Sequence, residues 1–312
     1  MLKILFMGTP KFAVPILEAL IEKYDVIGVV TQPDKLVGRN NQVTYSPVKA
    51  CALEHNIKVY QPQKIRESSE ELIALKPDII ITAAYGQIVG TKLLFSPQYK
   101  SINVHGSLLP KYRGGAPIQR ALMNGEKETG ITIMYMEKGM DSGDILAQGS
   151  LPITSEDTTT TLFDKLSILG RDLLLETLPK LINGEITPIK QNEEEVTFGY
   201  NIESSEEQID FTKEARLVDC QIRSLLDEPG AYFYFKGFND PMDRIKVTKA
   251  RVGTEATDKA PGEVVNIYKK YFVLACAAGS TIEIHRLIPA GKKEMDACSF
   301  INGAMRKYIG GK

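Results

Sequence analysis

Through the first 183 residues, short and almost wholly apolar runs alternate with segments whose apolar residues recur every three or four positions. The runs at 2–7, 26–31, 58–60, 78–83 and 101–104 predict strands, and the segments 10–23, 47–55 and 67–75 predict helices. Within 10–23, Phe12, Ile16, Leu20 and Ile21 fall near one face, and Pro15 is tolerable so close to the start. The run Ile79-Ile-Ile-Thr-Ala-Ala is apolar nearly throughout, as a strand covered on both faces should be. Strands alternating with helices predict an α/β fold: a mostly parallel sheet flanked by helices.

The pattern then changes. A leucine-rich helical segment at 158–182 is followed by a polar, acidic stretch containing Gln191-Asn-Glu-Glu-Glu195 and Glu203-Ser-Ser-Glu-Glu207. That stretch predicts a connector crossing a surface. After it come a helix at 214–226 and strand-like runs at 231–235, 245–250, 262–267, 271–277 and 281–287, separated by turn residues. Such spacing predicts a small β-barrel. A last helix at 296–308 would be capped by Asp296. The expected division is a first domain at 1–185, a linker at 186–207 and a C-terminal domain at 208–312.

Composition narrows this picture without redirecting it. A chain of 312 residues fits two domains better than one, and 43% hydrophobic with 25% charged residues is ordinary for a globular protein. The apolar run at the start is a strand in length, too short for a secretory signal. No run approaches the roughly 20 apolar residues of a membrane helix. Cys51, Cys220, Cys276 and Cys298 form no CxxC pair, which predicts free thiols in a reducing cytoplasm. Metal-ligand spacings are absent, so no metal is expected. The loop Gly8-Thr-Pro-Lys-Phe12 lacks the glycine fingerprint of dinucleotide sites, and no Walker motif occurs. The net charge is −1, yet residues 208–312 hold 17 Lys and Arg against 13 Asp and Glu. That mild positive balance suits a contact with phosphates but also an ordinary solvated surface.

The chemistry concentrates in Asn103-Val-His105-Gly-Ser107-Leu-Leu-Pro110-Lys-Tyr-Arg113-Gly-Gly-Ala-Pro117, followed by Gly139-Met-Asp141-Ser-Gly-Asp144. Asn103 and His105, two apart on a predicted strand, point to one side. They lie at a carboxyl end of a parallel sheet, where ligands bind in such folds. Asp141, on a later glycine-flanked loop, could orient the imidazole, with Asp144 as the rival carboxylate. An amide, an imidazole and an acid suit polarising a carbonyl and managing a proton, which makes acyl-type transfer the first expectation. No Cys or Ser has a recognisable activating base, so covalent catalysis is disfavoured.

The run 103–117, with Ile118-Gln-Arg-Ala, Glu128-Thr-Gly-Ile-Thr-Ile-Met134 and Met140-Asp-Ser-Gly-Asp144, resembles the folate-dependent formyltransferase family. Gly8-Thr-Pro, Thr31-Gln-Pro-Asp-Lys-Leu-Val-Gly-Arg39, Ser46-Pro-Val-Lys49, Ala84-Tyr-Gly-Gln87 and Pro289-Ala-Gly-Lys-Lys293 narrow the resemblance to members that formylate charged initiator tRNA. The resemblance implies a Rossmann-like formyltransferase domain followed by a smaller OB-like β-barrel domain. It implies a formyl group passing from 10-formyltetrahydrofolate to the amine of methionine on initiator tRNA, with no metal and no membrane, in a monomer. Asn103, His105 and Asp141 match the family's catalytic positions, and Ser107, Leu108, Leu109 and Pro110 match its folate segment. Lys35 and Arg39 fall in the insertion that reaches tRNA, a loop that also carries Lys49. Asn40-Asn-Gln42 stands where relatives more often carry basic residues.

Competing readings are a related enzyme formylating a small amine, a hydrolase releasing formate from the donor, and a non-catalytic tRNA-binding protein. The Arg39 loop and the basic C-terminal region argue against the first, and the intact Asn103–His105–Asp141 set against the last. Tyr232, Tyr234 and Phe235 form either a base-stacking platform or core, and alternation within a strand favours core.

Overall fold

A computed structural model describes residues 1–37 and 42–309 and divides the chain into two compact units. The first comprises Met1–Ile118, Glu128–Pro152 and Thr161–Tyr200; the second comprises Gln119–Lys127, Ile153–Thr160 and Asn201–Lys312. No helix among the described residues is long and apolar enough to cross a membrane.

The first unit is built on β1 (Lys3–Gly8), β2 (Asp25–Val30), β5 (Val59–Tyr60), β6 (Ile79–Ala83), β7 (Ser101–His105), β8 (Glu128–Tyr135) and β9 (Ile145–Pro152). They form one sheet in the order β5-β2-β1-β6-β7-β8-β9. The first five strands of that order run parallel, while β8 is antiparallel to both β7 and β9. A separate hairpin pairs β3 (Lys35–Val37) with β4 (Gln42–Thr44). Four of the five predicted strands match almost residue for residue, because their central positions are buried on both faces. The fifth, predicted at 58–60, is a two-residue edge strand.

Helices α1 (Val14–Lys23), α2 (Pro47–Glu54), α3 (Ser69–Ala74), α4 (Thr91–Leu94) and α5 (Pro117–Met123) lie between strands, and α6 (Thr159–Ile182) follows β9. In α2, Ser46 caps the helix by accepting from the Lys49 amide, and Pro47 occupies its first turn. The helix predicted at 67–75 begins as a 3-10 turn over Ile65–Ser68. Helix α6 packs closely on β7: a Cβ at Gly170 would come within 2.9 Å of Val104 Cγ1. The strand carrying Asn103 and His105 is thus fixed from behind.

The second unit has β10 (Tyr232–Phe233), β11 (Ile245–Val252), β12 (Val264–Ile267), β13 (Phe272–Ala275) and β14 (Thr281–Pro289) in the order β10-β11-β14-β13-β12, with β15 (Met295–Asp296) on β14. All these pairs are antiparallel, and register shifts in β11 and β12 are of the kind that curl a small sheet around its core. Helices α7 (Ala215–Ser224), α8 (Ala297–Asn302) and α9 (Arg306–Ile309) accompany it. The predicted last helix is broken at Gly303, whose backbone leaves the helical region. Its core is aromatic: Phe235 stacks on Phe300 with ring centroids 6.3 Å apart, and Phe272 lies beside both. Phe235 is therefore core, while Tyr232 and Tyr234 are half-buried and meet edge to face, with Arg244 over the Tyr232 ring.

Candidate active site

Strand β7 ends at the carboxyl edge of the parallel array, and Asn103 and His105 sit two residues apart there. Asn103 Oδ1 accepts a 2.7 Å hydrogen bond from the Thr82 hydroxyl on neighbouring β6. With its oxygen held, the amide's NH2 group is the part left to donate.

His105 is 5% exposed, and its Nε2 lies 3.0 Å from the Tyr112 carbonyl. A carbonyl only accepts, so Nε2 carries a proton and Nδ1 is the nitrogen that can change state. Nδ1 stands 3.7 Å from Asp141 Oδ2, too far for a direct hydrogen bond and close enough for an ion pair. Oδ2 of Asp141 itself accepts from the Gly114 amide at 2.8 Å.

Two residues of this site hold left-handed backbone: Tyr112 at φ 60° and Asp141 at φ 43°. For residues other than glycine this conformation costs about 1 kcal/mol or more, and it persists where the surroundings over-determine it. Asp144 plays a different part. Its carbonyl accepts from the Tyr135 amide, and its charge, after burial, raises the Tyr135 phenol above its ordinary pKa.

The segment after His105 is tightly bonded. Ser107 is buried and its hydroxyl donates to the Lys111 carbonyl at 2.6 Å. Leu109 donates its amide to Thr132 and receives Gln148 on its carbonyl, while its side chain packs with Met134 and Ile145. Leu108 and Pro110 remain half-buried, so they form the accessible part of the ledge.

Of the residues expected at tRNA, Arg39 lies outside the described residues, and for Lys35 only its backbone position in β3 is described. Lys49 is committed locally: its Nζ sits 2.5 Å from Asp34 and 4.0 Å from the Tyr45 ring centroid. That bond, with one from Gln61, holds the Asp34 carboxyl below its usual range.

The acidic connector returns to the site, which the sequence pattern does not reveal. Gln191 donates through Nε2 to the carbonyls of Asp141 (2.7 Å) and Gly143 (2.8 Å) and accepts from Arg113 Nε at 3.0 Å. Arg113, itself only 5% exposed, also grips Glu193 through both terminal nitrogens, which holds the Glu193 carboxyl below its usual pKa. Thr197 Oγ1 accepts the Tyr112 amide, and Gly199 exchanges backbone bonds with Arg113 and Ala116. Flanking Gly199, Phe198 and Tyr200 stack at 5.2 Å with rings 4° from parallel, both largely exposed.

Comparison with known proteins identifies the family. A formyl transferase family model matches residues 2–178, and a formyl transferase C-terminal domain model matches 201–305. The chain is 53% identical over 307 residues to the methionyl-tRNA formyltransferase of Limosilactobacillus fermentum, covering 97% of this chain and 96% of that one. It is 52% identical over 316 residues to the enzyme of the same name from Lactiplantibacillus plantarum, covering 100% and 98%. The chain belongs to the methionyl-tRNA formyltransferase family.

Among solved structures, WlaRD, a sugar 3N-formyl transferase studied with dTDP and 5-N-formyl-THF, matches with a TM-score of 0.69 at 22% identity, over 94% of this chain and 99% of that one. An N-formyltransferase from Helicobacter canadensis, in complex with folinic acid and dTDP-3-aminofucose, matches with a TM-score of 0.70 at 23% identity, over 91% and 99%. At those identities they support the fold. Within the described residues, no group of three or more His, Cys, Asp or Glu side chains is arranged to hold a metal ion.

Proposed function

We propose that this chain transfers the formyl group of 10-formyltetrahydrofolate to the free amine of methionine esterified to initiator tRNA. The observation that carries the reading is full-length identity above one half to methionyl-tRNA formyltransferases, spanning both units. The geometry supplies a matching chemistry. As the amine attacks the formyl carbon, a new N–C bond forms and charge develops on the formyl oxygen. The NH2 of Asn103, which has no acceptor among the described residues, and a protonated Nδ1 of His105 are the donors for that oxygen, since Nε2 is occupied by Tyr112.

The proton lost by the attacking nitrogen passes to Asp141, whose Oδ1 accepts from no described residue, directly or through water. Breaking the bond to the folate nitrogen then expels tetrahydrofolate, and that nitrogen takes up the proton. Ser107, Leu108, Leu109 and Pro110 line the folate side, with Leu108 and Pro110 offering contact and Ser107 and Leu109 holding the loop. Lys35 and Arg39 serve tRNA phosphates, and so does the positively balanced C-terminal region.

The test is an assay of purified protein with 10-formyltetrahydrofolate and three acceptors: methionyl initiator tRNA, free methionine and water. Formylation of the charged tRNA should dominate. Turnover with water or a small amine at a comparable rate would overturn the assignment.

A further inference from the structure

We propose that Gln191 is a positioning residue for the reaction: it fixes Asp141 and ties that loop, through Arg113, to the loop that orients His105. The inference rests on the reading of Asp141 as proton acceptor. Asp141 and Tyr112 both hold strained left-handed backbone, and each is bonded to the segment 189–200. Gln191 bonds two carbonyls of the 141–143 loop with its single NH2 group, and its oxygen takes the buried Arg113. Arg113 directly follows Tyr112, whose carbonyl receives His105 Nε2.

One side chain thus spans the two loops that set the His105–Asp141 separation. The connector is fastened on both sides of Gln191. Ile189 and Ile145 exchange a pair of backbone bonds at 2.8 and 2.9 Å, and Gly199 lies so close to Pro117 that a Cβ would meet its Cα at 3.1 Å. Gln191 is itself nearly buried, so its bonds are not shared with bulk water.

The chemical requirement is specific: two N–H donors and one acceptor in a planar group. Gln191→Glu keeps the shape and the acceptor for Arg113 but sets carboxylate oxygens against two carbonyls. Gln191→Met keeps the approximate volume and loses all three bonds. A misplacement of 1 Å in a catalytic group costs roughly 100-fold in rate, so kcat should fall roughly tenfold to a hundredfold in either variant, with KM for both substrates within roughly threefold of wild type.

The full-length protein is assayed in single-turnover and steady-state formylation of methionyl initiator tRNA. Each Gln191 variant is measured alone and combined with Asp141→Asn. If Gln191 acts through Asp141, it costs little more once Asp141 is disabled. Gln221 in the second unit is the control, because it too donates to two carbonyls, those of Glu206 and Gln208, at 2.9 Å each. Gln221→Glu should lower Tm and leave kcat unchanged.

The proposal is overturned if Gln191 variants lower Tm like Gln221→Glu with unchanged kcat, or if their loss in kcat adds fully to that of Asp141→Asn. Should both Gln191 variants fail to fold, Arg113→Lys, which loses the Nε donor, must show the same kcat loss and non-additivity, or the proposal falls. Absence of wild-type turnover on charged tRNA would refute the functional reading instead, and the same cycle would then be read on formate release from the folate donor.

Discussion

The two units bury different things. The first hides polar groups around one edge of its sheet: His105, Ser107, Arg113, Thr132 and Gln191 are all buried there and all hydrogen-bonded. The second gathers Phe233, Phe235, Phe272 and Phe300 in one apolar cluster. Its buried polar side chains brace the local fold, as Gln221 does for the backbone at 206–210. A buried polar network is costly to assemble and unforgiving when incomplete, whereas a hydrocarbon core tolerates whatever lies outside it. The contrast fits the proposed division, with the chemistry in the first unit and the surface of the second left for the proposed contact with tRNA.

That contrast can be broken from either side. The largest effect should come from Phe300→Ala, which opens a cavity among Phe235, Phe272 and Tyr308 and should cost about 3–5 kcal/mol of stability in chemical unfolding. Single-turnover chemistry in the fraction that remains folded should change little. Next, His105→Ala should raise the barrier by about 3–4 kcal/mol, measured as kcat, and leaving the Tyr112 carbonyl without this donor should also cost about 1–3 kcal/mol in unfolding. If instead His105→Ala leaves kcat unchanged and Phe300→Ala abolishes chemistry, the division of labour is wrong.

Gln221→Glu comes third. Leaving the Glu206 and Gln208 carbonyls without donors should cost about 1–3 kcal/mol in unfolding. Thiol labelling then separates the units. Burial pushes the Cys51 thiol to about 11 and the Cys276 thiol to about 12, so both stay protonated and shielded at pH 8. Cys298, less buried, should be labelled first, and along a urea series Cys51 should report opening of the first unit and Cys276 of the second.

The smallest effect concerns Glu294. Hydrogen bonds from Arg286 and Thr248 hold its carboxyl at about 2. Its stabilisation is therefore present above the ordinary glutamate range and fades as pH falls toward 2. Since the pair is exposed to solvent, that contribution is small, and its pH dependence in chemical unfolding should vanish in high salt.

Much of this was legible in the residues. Strands β1, β2, β6 and β7 are short apolar runs because both their faces are covered, and the Asn103-x-His105 pair announced itself at the end of one. The pattern of short apolar runs does not predict strands β8 and β9. β9 is an edge strand whose residues alternate between half-buried and exposed and include Gln148, Gly149 and Ser150, so no apolar run marks it. The part of Gln191 was hidden for a deeper reason. Two of its three partners are main-chain carbonyls, which every residue possesses, and its acidic neighbourhood has the composition of a solvent-facing connector. A side chain that recognises backbone leaves no complementary letter in the sequence.

The Tyr112 carbonyl on Nε2 of His105 has one more result. With that nitrogen bonded, Nδ1 is the ring atom that faces Asp141. The imidazole cannot hand a proton through itself from one side of the protein to the other, as a ring with two open nitrogens can. On the mechanism proposed above, whatever proton Nδ1 takes up it must give back on the side it shares with Asp141, because the other nitrogen is held by the Tyr112 carbonyl.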